Sequence, residues 1–360
     1  MTARRGRQGG QGASTDEKAR RTGRRLPTLE TVAAVSGFSR ATVSRVINQS
    51  PTVAPEIREA VEAVIEQLGY VPNRAARSLV TRRTGSIALV VREPVEFGVT
   101  DSYLSGVIVA ASQSLAGTGV QLAVMMAAND TDHAKLGSYV RSGHVDGVLL
   151  FSVHDDDPLP SQLVRAGVPV VLGGRPAVPL AGGSYVDTDN RGGAEAAAGH
   201  LLGLGRRHLA MISGPPDMTA AVDRLDGFRN ALRRAGQAPP TVAYGDFTRA
   251  GGGTAMREIL DRLPEVDAVF AANDLMALDA LRALREAGRR VPDDVAVVGF
   301  DDIDLGRFAE PQLTTVHQPI AEQATLMVRM VLEQIEGQPP REPTVLPVHL
   351  VVRGSTTSTG

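Results

Sequence analysis

Apolar residues early in the chain recur at helical spacing, whereas later they gather into short unbroken runs, and the two patterns predict two kinds of structure. Leu29, Val32 and Ala33 mark a first helix that Thr28 can cap and Gly37 can end in the left-handed conformation. Val43, Val46 and Ile47 mark a second, with Ser39 as its cap, and turn Arg40, Ala41, Ser44, Arg45 and Asn48 outward. Pro55 opens a third, in which Ile57, Val61, Val64, Ile65 and Leu68 recur before Gly69. These three short helices share one small core. The stretch VPNRAARSLVTRRTG, residues 71–85, is too polar to fold alone.

From Ser86 onward the runs SIALVV, QLAVMM, VDGVLLF, VPVVLG, HLAMIS, DAVFAAN and DVAVVGFDD alternate with helical stretches. Continuous apolar strands separated by helices indicate parallel sheets buried on both faces, here two consecutive doubly wound units. The boundary falls near YVDTDNRGG, residues 185–193. The late strand LTTVHQ and the helix after it are expected to return the chain to the first unit. One lobe then comprises about 85–186 with 314–345, and the other about 187–313 with 346–356.

Charge changes this picture by being unevenly placed. Residues 1–84 hold 15 Lys and Arg against 7 Asp and Glu, while residues 85–360 hold 23 against 33. A cationic segment on an acidic body suits a polyanionic partner, because released counterions drive association with phosphate backbones. Residues 1–25, rich in Gly, Gln and Arg, read as a solvated basic tail. There is no cysteine, which removes disulfides, thiolate metal sites and cysteine nucleophiles. No apolar run reaches the roughly 18 residues of a membrane span, and no apolar segment follows the N-terminal charges, so a cytoplasmic protein is expected.

A helix, a turn through SGFS and a second helix bearing Arg, Ser, Thr and Asn form a helix-turn-helix pattern suited to a major groove. An exposed helix with two arginines is also what an ordinary solvated surface looks like, and pattern alone leaves that choice open. The wording decides it. The segment TLETVAAVSGFSRATVSRVINQSPTVAPEIREAVEAVIEQLGYVPNRAARSLVTRRTGSIALVV closely resembles the N-terminal part of the lactose-repressor (LacI) family of bacterial transcription regulators, with ATVSRVIN and LGYVPNRAARSL its most specific words. The likeness extends to about residue 354. It implies an all-α helix-turn-helix headpiece (26–71) with a hinge helix (72–84), then an α/β two-lobed core (85–360) similar to periplasmic binding proteins.

The resemblance also implies roles. Arg40, Ala41 and Arg45 would read base edges, while Thr28, Ser39, Thr42, Ser44 and Asn48 would hold phosphates. Ala41 replaces a longer side chain found in many members and can offer only apolar contact. Ala54 replaces the usual Ser cap of the third helix, at a cost of about 1 kcal/mol. NRAARSL resembles the hinge helix that family dimers form only on their operator, with Asn73, Arg74 and Ala76 at the DNA and Leu79 wedged into the minor groove. A plain linker is the duller alternative.

In an open α/β sheet, ligands lie beyond the carboxyl ends of the strands. Arg175, Asn273, Asp301 and Gln318 stand at such ends, and Tyr103 and Phe247 can offer aromatic faces to a sugar. Arg224, in AAVDRLDGF, resembles the family's ligand-clamping arginine. Asp187, Asp274 and Asp302 can instead cap the helices that follow them. Gly174 stands where many sugar-binding relatives carry an acid, which puts one hydroxyl contact in doubt. No phosphate loop, nucleophile elbow or paired metal-spaced histidines appear, so neither an enzyme nor a cofactor is expected. The implied protein is a homodimeric regulator, most simply a repressor, that binds a pseudo-palindromic operator under control of a small metabolite, a carbohydrate by class. It would be nucleoid-associated when bound. A solute-binding protein without regulatory role is the rival reading.

Overall fold

The computed structural model describes residues 27–47, 50–71, 83–93, 102–152, 154–155 and 157–357. Two compact units divide between Arg82 and Arg83.

The first unit is helical: α1 (Leu29–Ser36), α2 (Arg40–Ile47) and α3 (Pro55–Leu68). Thr28 caps α1 in a reciprocal box, its hydroxyl accepting from the Thr31 N–H at 3.3 Å while Thr31 Oγ1 accepts from the Thr28 N–H at 3.2 Å. Gly37 ends α1 at φ 74°, a left-handed conformation that other residues adopt at a cost. Ser39 Oγ accepts from the Thr42 N–H at 3.1 Å and so starts α2. Ala54 offers α3 no side-chain cap, as its methyl group dictates. Val32, Val43, Val46, Val61 and Tyr70 form the buried centre.

The second unit contains two six-stranded sheets. The strands of the first are β1 (Ser86–Val91), β2 (Gln121–Met126), β3 (Gly147–Phe151), β4 (Val170–Gly173), β5 (Ser184–Thr188) and β11 (Thr344–Leu346), in the order β11-β5-β4-β3-β1-β2, all parallel. Helices α4 (Ser102–Ser114), α5 (Asp130–Tyr139) and α6 (Leu159–Arg165) connect them. The unbroken apolar runs have a direct cause. Ile87, Leu89 and Val91 bury on one face of the sheet, Ala88 and Val90 on the other.

The second sheet holds β6 (Leu209–Ser213), β7 (Thr241–Tyr244), β8 (Ala268–Ala271), β9 (Ala296–Asp301), β10 (Thr314–His317) and β12 (His349–Val351), in the order β12-β10-β9-β8-β6-β7. Around it lie α7 (Asn190–Gly203), α8 (Thr219–Arg234), α9 (Arg249–Arg262), α10 (Asp274–Glu286) and the short α11 (Asp304–Arg307). This sheet is mixed rather than fully parallel, because β12 runs antiparallel beside β10.

One expectation is corrected. The strand in LTTVHQ belongs to the second lobe, where β10 pairs in parallel with β9, Thr314 opposite Val298 and His317 opposite Asp301. The reason is chemical: Thr314 and Thr315 are fully buried, and their hydroxyls find partners there, Thr315 donating to Asp274 at 2.6 Å and Thr314 to the Arg353 carbonyl at 2.9 Å. Only with α12 (Ile320–Ile335), packed on α4, β3, β4 and β5, does the chain return to the first lobe. The lobes are thus joined by three crossings, after β5, after β10 and between β11 and β12.

Candidate functional site

In the helical unit, α2 buries Val43 and Val46 and leaves Arg40, Ala41 and Arg45 exposed, with Thr42 and Ser44 half-buried beside them. Arg40 Nε lies 3.3 Å from Glu30 Oε1, a pairing with an equally exposed acid on α1 that solvent weakens. Thr28, Ser39 and Thr42 already serve the helix caps. Their hydroxyl oxygens, those of Thr28 and Ser39 on exposed residues, and neighbouring N–H groups nevertheless sit at two helix N-termini, where anions are favoured. Asn48, Asn73, Arg74, Ala76 and Leu79 lie outside the described residues.

In the core, a cleft between the lobes encloses about 700 Å³ with its mouth included. The first lobe contributes Glu93, Tyr103, Leu104, Phe151, Ser152 and Gly173; the second contributes Met218, Ala220, Arg224, Phe247, Asn273 and Asp301; Gln318 comes from the second crossing. Six of the seven residues picked from sequence therefore meet here: Tyr103, Arg224, Phe247, Asn273, Asp301 and Gln318. Arg175 does not line the cleft, because its guanidinium turns to Asp223 on α8, which Arg191 also engages at 2.9 Å.

The second-lobe wall is held by polar contacts. Arg224 is buried, donating from Nε to Asn190 Oδ1 at 2.8 Å and from Nη1 to the Ala272 carbonyl at 2.5 Å, with Asp301 Oδ1 3.7 Å away. Its guanidinium lies 3.7 Å from the centre of the Phe300 ring. Asp301 accepts from Gln318 Nε2 at 2.6 Å, and Gln318 Oε1 accepts from Thr188 Oγ1 at 2.7 Å, which ties the cleft floor to two crossings. Asn273 caps α10, accepting from the Met276 N–H at 2.9 Å, and its amide donates to the Phe247 carbonyl at 2.9 Å. It holds the loop that presents Phe247.

Strained backbone gathers at the same place. Four non-glycine residues have positive φ among those described, Ser152, Phe247, Asp301 and Asp302, and the first three line the cleft. Such conformations cost on the order of 1–3 kcal/mol each and persist where a site demands them. The two phenylalanines rest on glycines: a Cβ at Gly173 would run into the Phe151 ring, and one at Gly214 into the Phe247 ring. Each lobe thereby presents a phenylalanine ring, and Tyr103 adds a second aromatic ring on the first.

The acids next to the cleft do not act as simple caps. Asp189 and Asn273 cap α7 and α10. Asp274 is buried, accepting from the Ile303 N–H at 3.0 Å as well as from Thr315; burial beside Asp301 pushes its carboxyl well above the usual range. Burial alone would raise Asp302, but hydrogen bonds from Arg353, Arg307 and His317 outweigh it and hold the carboxyl below its usual value. Burial also raises Asp187, whose Oδ1 accepts from the Thr188 N–H at 2.8 Å and from Asn190 Nδ2 at 3.0 Å.

At the mouth, His154 of the first lobe sets Nδ1 2.7 Å from Asp217 of the second, and the Asp155 N–H donates to the Asp217 carbonyl at 2.9 Å. Glu93, 3.8 Å from Nε2, and Asp217 together push the imidazole up to about 9. Sequence reasoning missed Glu93, Phe151, Ser152 and Met218. Glu93, Phe151 and Ser152 stand at or just after the carboxyl ends of β1 and β3, so the rule that found Asn273 and Asp301 could have found them. Asn190 was hidden inside a helix start.

A two-lobed core closed on a polar and aromatic cleft, carried in one chain with a helix-turn-helix unit, defines a ligand-responsive DNA-binding regulator. Residues 28–73 match the bacterial regulatory proteins of the lacI family, and residues 198–356 match the periplasmic binding protein-like domain. The chain is 51% identical over 337 residues to the HTH-type transcriptional regulator CelR of Thermobifida fusca, covering 92% of this chain and 99% of that one. It is 34% identical over 315 residues to the ribose operon repressor of Escherichia coli K12, covering 86% and 93%. Among solved structures it resembles a CelR–cellobiose complex (49% identity, TM-score 0.73, 91% and 99% covered). It also resembles the lac repressor dimer bound to operator and the anti-inducer ONPF (28% identity, TM-score 0.80, 92% and 99% covered). The chain belongs to the lacI family and is a transcription regulator that binds DNA.

Among the described residues no helix is long and apolar enough to cross a membrane, and no three His, Asp or Glu are grouped to hold a metal.

Proposed function

We propose that this regulator is a homodimeric, cytoplasmic repressor whose operator affinity is set by a glucose disaccharide of the cellobiose type held between the lobes, and that it performs no catalysis. The observation that carries this reading is the cleft itself: strained backbone, polar groups and aromatic rings on both walls, in a chain half identical to a regulator solved with cellobiose. Phe151 and Phe247 suit the C–H faces of sugar rings. Arg224, Asp301 and Gln318 supply planar donors and acceptors for hydroxyls, Tyr103 adds a ring and a hydroxyl, and Asn273 positions the Phe247 loop. Glu93 offers a carboxylate in place of the acid that Gly174 lacks. Arg175 acts indirectly, through its pair with Asp223 across the lobes.

Arg40, Ala41 and Arg45 read base edges in this proposal, and Thr28, Ser39, Thr42, Ser44 and Asn48 hold phosphates. Asn73, Arg74, Ala76 and Leu79 form the hinge contact, with Leu79 the minor-groove wedge. Two headpieces match a pseudo-palindromic site by their two-fold symmetry. An effector that prefers one arrangement of the lobes changes the population able to grip DNA, and a tenfold change needs only about 1.4 kcal/mol of differential binding. Selection of DNA from a random pool, followed by anisotropy titration with cellobiose, glucose and ribose, tests it. A symmetric site whose affinity shifts at least fivefold with cellobiose and not with ribose is expected. No preference among duplexes, or a response indifferent to the sugar, overturns it.

A further inference from the structure

A second concave site lies on the first lobe, between α5 and α6, apart from the interlobe cleft. It encloses about 750 Å³ with its mouth included and is lined by Arg92, His133, Ala134, Arg141 and Gln162, with Pro158 and Leu159 as its apolar side. Among the described residues none that lines it is a carboxylate, although residues 85–360 carry an excess of acids. Arg141 is held in place by a neutral group, donating to Gln162 Oε1 at 2.7 Å. That bond engages the carbonyl end of Gln162 and leaves its amide N–H groups as further donors.

His133 is buried, and its Nε2 lies 2.8 Å from Asp157 Oδ1, which also accepts from the Leu159 N–H at 2.8 Å. The carboxylate fixes the imidazole with a proton on Nε2. His133 Nδ1 is then a buried polar atom with no partner, an arrangement that costs on the order of 1–3 kcal/mol. A neutral ring leaves there an acceptor without a donor; a charged ring leaves a donor without an acceptor. A hydrogen phosphate group answers either case, since it carries both P–OH and P–O⁻, and its charge suits two guanidinium groups and an amide. Arg92, the residue that follows β1, brings the pocket to the carboxyl end of that strand, the side of an α/β sheet on which ligands bind.

We propose that this pocket binds a phosphate group, as the free ion or as the phosphoryl end of a small metabolite, and gives the regulator a second ligand input independent of the interlobe cleft. The full-length protein is titrated calorimetrically with inorganic phosphate and with glycerol phosphate at constant ionic strength, beside the Arg92→Gln/Arg141→Gln double variant. The double variant keeps the cationic headpiece, so any binding there cancels. Saturable binding about tenfold weaker in the double variant is expected. Ala134→Glu, at an exposed rim position, should give the same loss by repulsion without removing any contact. Tighter binding of the ester assigns the site to a metabolite and equal binding to the free ion; both uphold it. Identical titrations of wild type and variants, or a response that chloride reproduces, overturn it. Neither outcome depends on cellobiose, so the cleft proposal stands or falls separately.

Discussion

Two arginines divide this molecule between them. Arg40 of the headpiece has 74% of its side chain in solvent and one loose pairing with Glu30, whereas Arg224 of the cleft has 7% exposed and is bound by a carbonyl, an amide oxygen, a nearby carboxylate and an aromatic face. The same side chain is held in reserve in one place and spent on architecture in the other. An exposed guanidinium keeps its donors for a partner that brings its own negative charge. A buried one must be satisfied before any ligand arrives, so it shapes the site as much as it touches what enters.

The largest effect should follow from breaking the buried side of this contrast. Arg224→Ala removes the buried cation beside Asp301, together with its bonds to Asn190 and the Ala272 carbonyl, and should cost about 3–5 kcal/mol of core stability, read by denaturant unfolding, and abolish the sugar response. Arg40→Ala, by comparison, should leave thermal stability unchanged and relax base choice at one symmetric operator position by about 1–3 kcal/mol, read by competition among single-base operator variants. A stability loss at Arg40, or none at Arg224, would erase the distinction.

Smaller effects sharpen it. Ala54→Ser should supply the missing cap of α3 and raise headpiece stability by about 1 kcal/mol without altering sequence preference. The His154–Asp217 pair at the cleft mouth should add pH dependence. His154 is raised from an ordinary 6.5 to about 9, so its contribution is complete below about 6.5 and is lost as pH rises through about 9. The melting temperature of the core should fall over that window, and Asp217→Asn should flatten the fall. An unchanged slope in the variant would remove the pair from the account.

The headpiece was almost fully legible in the sequence because caps and helical spacing act locally: Thr28, Ser39, Gly37 and the bare Ala54 each behave as their chemistry dictates. The strands were legible from burial on both faces. β10 was assigned to the wrong lobe because lobe membership depends on long-range partners, here the buried carboxylate of Asp274 and the carbonyl of Arg353, which no local pattern records. Arg175 went astray for the same reason, its destination being an acid on a helix of the other lobe. Asp274 and Asp302 read as caps, yet they anchor buried and half-buried networks instead. Phe151 was overlooked since an aromatic at the end of an apolar run looks like core.

The three crossings limit what the lobes can do. A single tether would let them drift apart, and two would leave a free twist axis between them; three strands, with Thr188, Gln318 and Asp301 hydrogen-bonded in series beside them, restrict the pair to bending and shear about one edge. A ligand wedged opposite that edge works with the leverage of the whole lobe. Severing any one connection by protease, while the other two hold, should yield a nicked molecule that still closes on its sugar and transmits the movement with more play.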